Sequence, residues 1–144
     1  MIRLRDYREY WEGMARRVPE LTECMAVTVD EDMAKRIMAL PKGSVTLFYL
    51  PPGAVSEGGD VDAYREKSEC VVFVMEKYDP QRRTSFDVLE STQPAIEAVK
   101  GALLADAAMG CPLMRIDAAS LSTLPETQFF AGYAGWSLGF KVTG

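Results

Sequence analysis

The chain has 144 residues, 48% of them apolar and 26% charged, which suits one globular domain with an ordinary core. Twenty-one acidic against 16 basic residues leave a net charge of −5, which opposes docking to nucleic-acid phosphates or anionic lipid. There is no histidine, so the commonest general base, the commonest metal ligand and the Ser-His and Cys-His nucleophile pairs are all excluded.

Residues 4–18 predict an amphipathic helix. Leu4, Tyr7, Trp11, Met14 and Val18 recur at spacings of three and four, charged residues fill the other face, and Pro19 stops it. Tyr10 falls beside the stripe. Residues 23–29 form a short strand. Asp30 is placed to cap a second helix over 31–40, with carboxylates first and bases later, as the helix dipole favours. The triplet Asp30, Glu31, Asp32 is read as capping rather than as a cation site, because no second acidic cluster follows at loop-ligand spacing.

Residues 44–50 read as a strand closed by Pro51, Pro52 and Gly53. Residues 54–67 read as a long surface loop or an extended flexible hairpin. Its Gly58-Gly59 pair lacks the pattern of a phosphate cradle. The stretch from Glu69 to Ala119 organises the chain as strand, helix, strand. Cys70–Met75 is a continuous β-branched run, with Val72 and Val74 on one side and Val71, Phe73 and Met75 on the other. Glu76 and Lys77 mark its emergence into water, and Arg82-Arg83 reads as a solvated turn.

A long helix is expected over 85–109, with Phe86, Leu89, Ile96, Val99, Leu103 and Ala107 on one face and Gly110 as its stop. Pro94 removes the donor for the Glu90 carbonyl, so the helix either kinks near Glu90 or restarts with Thr92 as cap. Residues 113–119 form another strand, residues 120–128 a linker, and residues 133–142 the closing strand. There Trp136, Leu138, Phe140 and Val142 alternate strictly with Ser137, Gly139, Lys141 and Thr143. Gly132 and Gly135 flank Tyr133 and suggest a turn or bulge. The fold class is α+β: a mainly antiparallel sheet of four to five strands with helices packed on one face, in a single domain over residues 1–144.

Cys24, Cys70 and Cys111 are odd in number and widely spaced, as buried reduced thiols of a cytosolic protein would be. No signal peptide or membrane span is visible, so a soluble, cytoplasmic protein is expected. An enzyme would have to work with Cys111, Asp106, Asp117, Glu126 and Tyr133. Cys111 follows a helix C-terminus, where the dipole disfavours a thiolate. No carboxylate pair is singled out by spacing. No catalytic, cofactor-binding or metal-binding residue is expected, and no cofactor. A non-enzymatic adaptor or ligand-binding module is the other alternative, since a long exposed loop commonly carries binding.

The order of elements resembles that of the small tail-completion, or tail-terminator, proteins of long-tailed bacteriophages and prophages. The segment from Leu124 through Phe129, Phe130, Gly132, Gly135 and Trp136 to Phe140 also resembles the ending of small prophage neck and tail proteins. There an acidic-aromatic linker leads to Gly-Trp and a final alternating strand. The likeness spans most of the chain by element order and residues 129–140 by local pattern. The helix over 30–40 departs from the simplest form of that family. The resemblance implies a structural virion-assembly protein, made in the bacterial cytoplasm and incorporated in the virion. It would form a ring, often of six copies, that caps the tail tube and meets neck proteins, with no direct contact to nucleic acid or membrane. Expected contact features are the loop 54–67, the polar face of the helix 4–18 and the linker 120–128, and heterologous contacts would close the ring.

Overall fold

The computed structural model describes residues 1–28, 31–57, 59–63, 65–110, 115–127 and 132–143. One sheet of six strands carries the architecture: β1 (Glu23–Ala26), β2 (Val45–Tyr49), β3 (Gly53–Glu57), β4 (Arg65–Lys77), β5 (Ile116–Glu126) and β6 (Tyr133–Thr143). They lie in the order β1-β2-β4-β6-β5, with β3 also on β4. β4 is the axis. It pairs antiparallel with β2 and β3 along one edge and with β6 along the other.

Among the described residues, three α-helices cover the sheet: α1 (Leu4–Arg17), α2 (Glu31–Ala39) and α3 (Ser85–Ala108). Alternation along β4 sorts the core into two layers. Val72 and Val74 join Leu47, Tyr49, Leu138 and Phe140 beneath α1 and α3, against Trp11, Met14, Val99 and Leu103. Phe73 and Met75 join Phe48, Tyr133 and Val27 on the other side, where Ile37 of α2 covers them. The helices therefore do not share one face. β1 and β2 are parallel, and a parallel pair needs a crossover connection. α1 already occupies one face above β1, so α2 crosses on the other.

α1 buries Tyr7, Trp11 and Met14, and Val18 sits buried just past its end. Leu4 leaves the expected stripe. At the first turn, beyond the packed layer, it is 58% exposed. α3 runs unbroken through Pro94, neither restarting nor using Thr92 as a cap. Its N-terminus is closed by a capping box: the Asp87 backbone N–H donates to Thr84 Oγ1 (3.1 Å), and the Thr84 backbone N–H to Asp87 Oδ2 (2.9 Å). Inside, Thr92 Oγ1 donates to the Val88 carbonyl (2.7 Å), and Trp136 Nε1 donates to the Leu89 carbonyl (3.0 Å). Both bonds fall in the turn before Pro94 and leave the Glu90 carbonyl itself unaddressed. Its buried face is Val88, Thr92, Ala95, Ile96, Val99 and Leu103, whereas Phe86 is 71% exposed.

Of the two readings of residues 54–67, the structure takes the hairpin: the described residues there form β3, a 3-10 turn at Val61–Ala63 and the start of β4. Two other expectations are corrected. Residues 120–126 are not a linker but the second half of β5. A bulge between Asp117 and Ser122 breaks its period, and Pro125 is tolerated because β5 is an edge. Glu76 does not emerge into water. It is 7% exposed, paired with Arg83, and Lys77 beside it donates to the Met38 and Leu40 carbonyls at the end of α2. That places a cation at a helix C-terminus, where the dipole favours it. β6 alternates as predicted from Leu138 to Thr143, but its first half is covered on both faces, with Ser137 buried and Trp136 half-buried, and the turn before it holds Gly132 at φ +78°.

Candidate functional site

The residues that an enzyme would have needed are dispersed, and each described one has a structural partner. Asp106 lies near the end of α3 and bridges to α1. It accepts from Tyr10 Oη (2.7 Å) and from both terminal nitrogens of Arg17 (3.0 and 2.6 Å). The guanidinium, with help from the phenol, holds this carboxyl below the usual carboxylate range. Asp117 opens β5, where it lies 3.7 Å from Lys67 Nζ and accepts from the Ala119 backbone N–H. Glu126 ends the same strand and accepts from Ser137 Oγ (2.9 Å). Tyr133 is on the α2 side of the sheet and donates to the Ile37 carbonyl (2.7 Å). Cys111 and the aromatic pair Phe129 and Phe130 lie outside the described residues, as does Asp30. Among the described residues, no three His, Cys, Asp or Glu side chains are grouped so as to hold a metal.

The Asp106 network yields a pH prediction. The folded carboxyl titrates below its unfolded value of about 3.9. Its contribution is therefore complete above that value and is lost as pH falls through the folded one. An Asp106→Asn variant should lose about 1 kcal/mol at neutral pH, a figure kept small because the pair is solvent-screened. It should also show a flatter acid limb than wild type in urea melts between about pH 5 and 2. Parallel limbs would mean that Asp106 is not the group responsible.

The two described cysteines are inert by environment. Burial pushes the Cys24 thiol up to about 12, with Glu12 adding to the effect, and pushes Cys70 up to about 11. Cys24 Sγ donates to the Trp11 carbonyl (3.7 Å). In the folded protein at pH 8, both should react with iodoacetamide at least about tenfold slower than a free cysteine, and at the ordinary rate in denaturant. Peptide mapping of the alkylated sites checks this. Rapid native labelling at either would show an activated thiolate.

The contact features expected from the sequence are surface segments of the sheet and of α1. The β3–β4 hairpin carries exposed Val55 and Val61, the latter 91% exposed. β5 offers an outer edge that pairs with no other described strand. One partner pair was hidden from sequence reading: Arg83, which reads in sequence as part of a solvated turn, binds the buried Glu76 and donates to Ser91 Oγ (2.7 Å). Only the fold reveals it, because the partners come from the end of β4 and the second turn of α3.

No protein-family model matches the chain, and no curated protein sequence matches it. Among the described residues, no helix is long and apolar enough to cross a membrane.

Proposed function

We propose that this protein is a structural tail-completion or head-tail joining protein of a phage or prophage, which caps the tail tube as a ring of its own copies. It is made in the bacterial cytoplasm and ends in the virion. It makes and breaks no bonds. The reading rests on the resemblance in element order and in the Gly-Trp ending, and one structural observation supports it. Two of the three segments expected at subunit contacts are unlike surfaces: a hairpin with exposed valines, and a strand edge that pairs with no other described strand. Cyclic rings close through heterologous contacts, which need two different surfaces on each copy. A bare edge is also a template for strand addition, here moderated by the β5 bulge and Pro125.

Co-expression with the tail-tube protein of the same genome tests it. The expected result is co-purification and, by negative-stain microscopy, rings on tube ends. Val55→Lys with Val61→Lys should abolish ring formation while leaving the circular dichroism melt unchanged. A chain that never associates with tube protein and stays monomeric at every concentration would overturn the proposal.

A further inference from the structure

The tip of the β3–β4 hairpin is built as an apolar point. The Asp62 backbone N–H donates to Asp60 Oδ1 (3.0 Å), and the 3-10 turn Val61–Ala63 follows. Val61 is 91% exposed, and Asp60 and Asp62 on either side of it are exposed as well. A single exposed apolar side chain is ordinary on a protein surface and needs no account by itself. What sets Val61 apart is that the same chain carries a matching hole.

A half-open pocket of about 380 Å³ lies between the first two turns of α1 and the carboxyl ends of β1 and β2. Leu4, Val27, Tyr49 and Pro51 give it largely apolar walls, Arg5 and Arg8 stand on its rim, and among the described residues no acid lines it. Arg5 has Glu9 at 3.6 Å, but both side chains are exposed, and such a pair is worth little. The point is thus apolar with a negative collar, and the hole is apolar with a positive rim. One chain cannot join the two. Pro51 and Pro52 lead from the pocket into Gly53, and β3 then carries the backbone roughly 17 Å away, at about 3.3 Å per residue, before the tip turns.

We infer that the hairpin tip of one copy docks in the α1 pocket of a second copy, with Val61 between Leu4, Val27 and Pro51 and with Asp60 and Asp62 facing Arg5 and Arg8. Point and hole are different surfaces, so the contact is heterologous and closes a ring when the rotation between copies allows it. The inference rests on the reading that copies meet through the hairpin, names the surface that receives it, and needs no tail tube. A hairpin tip covers less than the roughly 800 Å² per partner of a stable complex, so one contact alone is weak, with a Kd on the order of 100 μM. Ring closure then adds the contacts together.

Sedimentation velocity of the full chain from about 10 μM to about 1 mM tests this, and the wild type should self-associate over that range. Asp60→Arg with Asp62→Arg, and separately Arg5→Glu with Arg8→Glu, should each weaken self-association at least about tenfold. Neither pair should lower the melting temperature, since the tip is solvated and acids suit the first turns of a helix. Mixed in equal amounts, the two variants should associate again, because each one's tip then meets a pocket of opposite charge in the other. Val61→Ser should weaken the wild-type association to a similar degree. A wild type that stays monomeric throughout, variants that associate as the wild type does, or a mixture that fails to recover would each overturn the inference. The ring reading is decided apart from it: variants that still form rings on tube ends would mean that copies meet through other surfaces.

Discussion

Gly135→Ala should lower the stability of this protein by about 3 kcal/mol or more and its melting temperature by about 10 °C or more. A Cβ at this position would lie 2.0 Å from the Val74 carbonyl oxygen and 2.8 Å from Met75 Cα. Both are backbone atoms of β4, and no side chain can swing aside to make room. β4 is itself pinned on its far edge, where Val74 pairs with Leu47 and Met75 with Thr46. Relief therefore requires β6 to lift from β4 or β4 to slip against β2. Either movement disturbs the register that separates the two core layers, because a one-residue slip exchanges the faces of a strand. Gly139 in the same strand is the control. A Cβ there would meet only the Cys70 carbonyl oxygen, at 3.9 Å, an ordinary contact. Gly139→Ala should be neutral or mildly stabilising, since glycine in a strand interior carries an entropic cost of roughly 0.5–1 kcal/mol. Urea melts of the two variants decide the matter. Equal losses would mean that β6 tolerates a methyl group at Gly135 and that its close approach to β4 is not structural.

Gly135 also shows where sequence reading stops. The alternation of Trp136, Leu138, Phe140 and Val142 is visible because one buried face imposes period 2 on a strand. The Cys70–Met75 run is visible because both faces are covered over Val72–Met75, although Val71, expected beside Phe73 and Met75, is exposed. Gly132 is read correctly as a turn, for it takes a positive φ. Gly135 looks the same in sequence, yet it is a strand residue selected by a neighbouring backbone, and that neighbour is 61 positions away in sequence. The second half of β5 was hidden for a related reason. Its Ser, Thr and Pro residues are those of a loop, and its bulge destroys the alternation, but an edge strand that keeps one side in water can carry both. The side on which α2 lies depends on β1 and β2 being parallel, a pairing choice that no local pattern encodes. The pocket beside α1 was equally illegible. Arg5 and Arg8 read as the wet face of an amphipathic helix, and only the ends of β1 and β2 turn that face into a wall.

Trp11→Ala should cost about 4 kcal/mol, and Trp11→Phe only about 1 kcal/mol. Trp11 is fully buried and is the largest side chain of the core. It meets Tyr7 edge-on at a ring separation of 6.0 Å, Tyr10 at 5.1 Å and Phe140 at 6.2 Å. It thereby ties α1 to the strand that closes the sheet. Truncation to alanine removes these contacts and leaves a cavity, and both losses add. Phenylalanine keeps most of the ring volume and discards the indole N–H, which is buried beside the Tyr7 hydroxyl but makes no well-formed hydrogen bond. Removing an unsatisfied donor recovers part of what the smaller ring loses. Trp136 provides the opposite case. Its Nε1–H does donate, to the Leu89 carbonyl one residue before the one that Pro94 deprives of its donor. Trp136→Phe should therefore cost about 1–2 kcal/mol more than Trp11→Phe, although Trp136 is the less buried of the two. Denaturant melts of the three variants at a fixed pH give the ordering directly. Should Trp11→Phe prove as damaging as Trp11→Ala, the indole N–H must be satisfied in the folded state. The cluster around Tyr7 and Trp11 would then be held by a polar contact as well as by packing.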